Sequence, residues 1–73
     1  MKGFIFTNFL DFVETSNSLE MVDQMIEECD LASEGVYSAF NSYEFDELVT
    51  LLTYVSKKTG IAPQVLLEAF GRF

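Results

Sequence analysis

The side chains that most often carry chemistry are scarce in this sequence. There is no histidine among its 73 residues. The commonest general base and metal ligand is therefore missing, and Ser/His/Asp and Cys/His arrangements are excluded. Carboxylates are plentiful, but their spacing is uninformative. Asp11 and Glu14 could pair as acid and base, yet any acidic helix offers such a pair. Glu27, Glu28 and Asp30 form the densest acidic group, and no Asp-x-Asp alternation builds a calcium loop. They read as a solvated helix end. Gly3, Gly35, Gly60 and Gly71 are isolated, so no glycine-rich loop cradles a phosphate. Cys29 is the single cysteine. It can form no internal disulfide, which suits a reducing cytoplasm, and its place on the apolar side of a helix reads as core. The remaining candidate is aromatic. Phe4, Phe6, Phe9 and Phe12 on one short helix could line a ligand cavity, or they could be ordinary packing, the commoner use of such a stripe.

Four helical segments must position these residues. The first is expected over about 2–14, with Ile5, Phe9, Phe12 and Val13 on one face, widened by Phe6 and Leu10. Thr7, Asp11 and Glu14 make its narrow polar side. Residues 15–18 break the pattern. Asn17 stands three before Glu20, as in a capping box, and Ser18 is a second N-cap candidate. A second helix over about 19–29 carries a stripe of Leu19, Val22, Ile26 and Cys29, with Met21 and Met25 beside it. Residues 30–42 form the longest connection. Val36, Tyr37, Ala39 and Phe40 imply that it packs down, and a short strand-like stretch there has no obvious pairing partner.

The third helix is expected over about 44–59. Phe45, Leu48, Leu52 and Val55 recur at helical spacing, with Val49 and Leu51 at the margins. Acidic residues in its first turn and Lys57 and Lys58 in its last suit the helix dipole. Gly60 supplies the stop, and Pro63 opens a fourth helix carrying Val65, Leu66, Ala69, Phe70 and Phe73. Large aromatics at the very end of that pattern imply an interrupted element. The expected class is all-α, a single helical unit over residues 1–73.

Composition excludes several roles. The hydrophobic fraction is 49%, with eight Phe and three Tyr, too apolar for a disordered chain despite a net charge of -8. Twelve carboxylates face four basic residues, so no basic stripe exists for nucleic acid or anionic membranes. No segment reaches transmembrane length, and Asn8 and Asp11 interrupt any signal-peptide pattern. The carboxylates read as a solvated surface.

Four stretches, in order, resemble one family. MKGFIFTNFLDFVE is similar to the opening of bacterial H-NOX (haem-nitric-oxide/oxygen-binding) domains, which begin Met-Lys-Gly and continue into an amphipathic helix. LEMVDQMIEECDL resembles the family's second helix. SEGVYSAFNSYEFDELVTLL resembles its Gly-x-Tyr loop and third helix. KKTGIAPQVLLEAFGRF resembles its Lys-Thr-Gly-Ile turn and Ala-Phe-Gly helix. The resemblance implies the family's helical N-terminal subdomain, with its last helix truncated. The proximal haem-ligating histidine and the Tyr-x-Ser-x-Arg propionate motif of the family are absent, and Tyr37-Ser38-Ala39 does not match the latter.

By resemblance, Ile5, Phe9 and Phe70 would pack around the distal face of haem b without ligating its iron. The expected role is the distal, non-enzymatic part of a gas sensor in the cytoplasm. The implied partners are a C-terminal H-NOX subdomain and a signalling protein such as a histidine kinase or a cyclic-dinucleotide enzyme. A different class of role is a stand-alone helical interaction module whose apolar face meets a second copy of itself.

Overall fold

A computed structural model describes residues 1–29, 31, 37, 38 and 40–73. Four helices occur among them: α1 (Gly3–Ser16), α2 (Leu19–Glu28), α3 (Phe45–Thr59) and α4 (Pro63–Gly71). All four expected helices form, with small shifts at their ends. Of the connection over 30–42, Asp30, Ala32 to Val36 and Ala39 lie outside the described residues.

Each boundary has a local cause. Lys2 caps α1 with extended backbone and no side-chain bond, and the Gly3 N–H instead donates to the Asn41 carbonyl at 2.8 Å. An orphan donor of the first turn is thereby satisfied from across the fold. Of the two N-cap candidates for α2, Ser18 serves. Its hydroxyl accepts from the Met21 N–H at 3.1 Å, while Asn17 closes α1. Gly60 ends α3 in the left-handed region at φ 74°, and Pro63 stands in the first turn of α4. The Ser56 hydroxyl donates to the Ile61 carbonyl at 2.7 Å and braces the turn between them.

The core is made of Phe6, Phe9, Phe12 and Val13 of α1, Val22 and Met25 of α2, Leu31, then Leu48, Leu51, Leu52 and Val55 of α3 and Leu66 of α4. The faces are rotated slightly from those expected. In α1 the centre is Phe6, Phe9 and Val13, with Ile5 and Leu10 half-buried at its edges. In α2 the stripe centres on Val22 and Met25, leaving Leu19 exposed and Ile26 and Cys29 half-buried. In α3 Leu51 is fully buried, not marginal, and Phe45 is exposed. In each helix apolar residues exceed the buried arc, and position relative to the neighbouring helices selects among them.

The long connection partly packs down. Leu31 is buried and Tyr37 half-buried, whereas Phe40 is 90% exposed. Among the described residues no strand forms there, but the end of the connection meets the N-terminus. Lys2 and Ser42 form an antiparallel bridge, and the Tyr43 N–H donates to the Met1 carbonyl at 2.7 Å. Sequence spacing hid this contact because its halves lie some forty positions apart.

Candidate functional site

The closest helix packing is between α1 and α2, α3 and α4, and α2 and α3. Between α1 and α4 aromatic rings bridge the seam. Ile5, Phe9 and Phe12 fall at i, i+4 and i+7 on α1 and so form one stripe. Phe9 meets Phe70 of α4 edge to face, with centroids 5.3 Å apart at 89°. Phe12 touches Phe70 at 5.6 Å and Phe9 at 6.1 Å. Phe73, beyond α4, leans on Phe12 at 5.7 Å. These tilted and edge-on pairings suit the ring quadrupoles.

Of the three residues singled out from sequence, Phe9 and Phe70 are thus brought into contact. Ile5 lies one turn along α1 from Phe9 and packs, half-buried, against the core. Phe9 itself is only 1% exposed, and Phe70 is half-buried. Sequence reasoning missed Phe12 as the hub. It is the ring that touches all three others, and its place three residues after Phe9 was the available signal. Chemically the seam is made of apolar aromatic side chains, with no titratable group among them.

The polar candidates sit elsewhere. A groove of about 420 Å³ lies between the end of α2 and α3, lined by Glu28, Cys29, Val49, Thr50, Thr53, Tyr54 and Lys57. The Tyr54 hydroxyl donates to Glu28 Oε2 at 2.7 Å. That bond to a carboxylate, with lesser desolvation, pushes the phenol up to about 12. Burial, and then the Glu28 carboxylate, push the Cys29 thiol up as well. It is therefore protonated at neutral pH and a poor nucleophile. Glu27, Asp11 and Glu14 are exposed. Among the described residues, no group of three or more His, Cys, Asp or Glu could hold a metal ion. No helix among them is long and apolar enough to cross a membrane.

The chain matches an H-NOX protein from K. algicida in its unliganded Fe(II) form, with 46% identity and a TM-score of 0.93, over 96% of this chain and 38% of that one. An alanine-to-glycine mutant of that H-NOX protein matches at 46% identity and a TM-score of 0.94, over 97% of this chain and again 38% of the other. The chain therefore spans well under half the length of the solved proteins it resembles. No curated protein matches it. The profile of the Haem-NO-binding (HNOB) family matches residues 2–73. By that match, and by the four-helix arrangement shared with the K. algicida protein, the chain belongs to the haem-NO-binding, or H-NOX, family.

Proposed function

We propose that this chain forms the distal helical wall of a haem-based sensor domain for nitric oxide or oxygen. The observation that carries the reading is the α1–α4 seam, where Phe9 and Phe70 meet edge to face within an uncharged aromatic cluster. A porphyrin face is broad, flat and apolar, and such a seam suits it. Haem supplies the iron at which a diatomic gas binds. Ile5, Phe9 and Phe70 supply bulk that excludes water and shapes the space beside it. Ile5 and Phe70, each half-buried, would meet the ring first, with Phe9 behind them.

The fit covers the ring and stops short of the iron. The chain has no histidine, and its one cysteine, Cys29, lines the groove between α2 and α3 rather than the α1–α4 seam. The axial ligand in this reading comes from outside these residues, and the role is binding rather than catalysis. The partners proposed are the C-terminal H-NOX subdomain and a signalling protein such as a histidine kinase or a cyclic-dinucleotide enzyme. A cytoplasmic setting accords with the single free cysteine.

The test supplies the missing ligand from solution. The labelled chain is titrated with ferrous haem, excess imidazole and carbon monoxide, and ring-current shifts are mapped by NMR. The expected shifts concentrate on Ile5, Phe9 and Phe70. Shifts confined to the Val49–Thr53 groove would sink the assignment. A sharp histidine-type Soret band without imidazole would contradict the proposed division of labour.

A second reading is favoured by the apolar surface left exposed at Phe45, Val65, Leu67 and Phe73. Here a second copy of the chain covers that surface. Sedimentation decides between them: a strict monomer at high concentration rules out the self-associating module.

A further inference from the structure

Gly3 occupies the first turn of α1 and does not have a positive φ. Backbone conformation therefore does not call for glycine, and helix propensity would favour alanine. Space forbids it. A Cβ at Gly3 would collide with the Ser38 carbonyl and come within 2.8 Å of the Tyr43 ring. The Ser38 carbonyl is backbone, so it cannot swing aside as a side-chain tip would.

The wall that Gly3 meets is itself braced. The Tyr43 hydroxyl accepts the Ser38 N–H at 2.7 Å, and the Ser38 carbonyl takes the Asn41 N–H at 3.3 Å. The Tyr43 ring packs on Phe6 at 5.4 Å and on Tyr37 at 5.0 Å. The Gly3 N–H reaches the Asn41 carbonyl from the other side of the same contact. The start of α1 is thus seated on a braced ledge formed by Ser38, Asn41 and Tyr43.

We infer that Gly3 is a positioning residue. By letting α1 sit flush against the Ser38 carbonyl, it sets where the Ile5–Phe9–Phe12 stripe lies against Phe70. An added methyl pushes the helix start off the ledge. A helix is stiff along its length, so the displacement reaches Phe9. The seam yields to it, because aromatic rings rather than tight backbone packing join α1 to α4. The displacement does not depend on the function proposed above. Its consequence for a haem pocket does.

The experiment compares Gly3→Ala, Tyr43→Phe and Gly71→Ala in the 73-residue chain. Gly71 is the control, since a Cβ there meets nothing within 4 Å. Thermal melts are recorded with the through-space NMR cross peaks between Phe9 and Phe70. Gly3→Ala is expected to lower Tm, against its better propensity, and to weaken the Phe9–Phe70 cross peaks. Gly71→Ala should preserve the cross peaks and keep or slightly raise Tm. A lowered Tm with unchanged cross peaks would overturn the inference, because Gly3 would then be structural only. An unchanged or raised Tm would overturn it too.

Should Gly3→Ala not fold, Tyr43→Phe decides. It removes the hydroxyl that holds Ser38 and keeps the ring, and a partial loss of the same cross peaks is expected. Unchanged cross peaks in that variant overturn the inference. The haem titration of the unsubstituted chain stands apart. A seam that shifts in the variants while the parent ignores haem defeats the proposed function and leaves this inference intact.

Discussion

The two ends of α1 are held by different means. At its start, backbone hydrogen bonds to residues 41–43, a glycine pressed on a carbonyl and the Tyr43 ring fix the helix to a ledge. Toward its far end α1 packs on α2, and Phe9 and Phe12 reach across to Phe70 and Phe73 through ring contacts, so apolar packing rather than hydrogen bonding across the fold holds it. Hydrogen bonds are directional and lose strength steeply when misaligned, whereas apolar contacts are non-directional and tolerate sliding. One end therefore sets position and the other end follows. Under the proposed function, the ledge end fixes the wall and the seam end adapts to a ligand.

Paired truncations test this contrast most severely. Phe6→Ala, at the ledge end and fully buried, should cost about 3–5 kcal/mol, as for a large aromatic lost from a core. Phe70→Ala, at the half-buried seam, should cost roughly half as much, about 2 kcal/mol, because less apolar surface is lost. Urea denaturation measures both. Equal costs would erase the distinction between the ends. A chain this short has little stability to spare, so the Phe6 variant is expected to be largely unfolded at 37 °C.

Gly3→Ala comes next, with a loss of about 1–3 kcal/mol from overpacking, offset by ~0.5–1 kcal/mol of better helix propensity. A net gain in stability would show that the ledge gives way. Ser18→Ala follows at ~1 kcal/mol, the usual cost of losing an N-cap. It probes the turn into α2, and the Phe9–Phe70 cross peaks should survive it.

The smallest effect is a titration far from both ends. In the folded chain the Glu28 bond raises Tyr54 to about 12, above its ordinary value near 10. A raised folded value stabilises below the unfolded pKa, and that contribution fades as pH climbs from 10 towards 12. Glu28→Gln should return Tyr54 towards 10 in an ultraviolet titration at alkaline pH. The same variant should leave Gly3 and the seam untouched.

The existence of every helix was legible in sequence, because 3.6-residue periodicity, Pro63 and Gly60 act locally. The exact faces were less so. Phe45 and Leu51 are both apolar, and only the placement of α2 and α4 decides that Leu51 is inside and Phe45 outside. The seam was half legible. Phe9 and Phe70 could be named through the family resemblance, but their contact joins residues sixty positions apart, and periodicity carries nothing across that distance. The ledge was not legible at all. Gly3 gave no turn signal, and its reason lies in a carbonyl 35 residues later.

The bridge between Lys2 and Ser42 also bears on the order of folding. It and its neighbouring bonds join positions as far as 42 apart, so closing them costs loop entropy before any contact repays it. The α1–α2 pair is joined by a two-residue turn and can form first. The expected order is hairpin early and ledge late. Gly3→Ala should then accelerate unfolding in stopped-flow measurements and barely change the refolding rate, whereas substitutions at Val13 or Val22 should slow refolding.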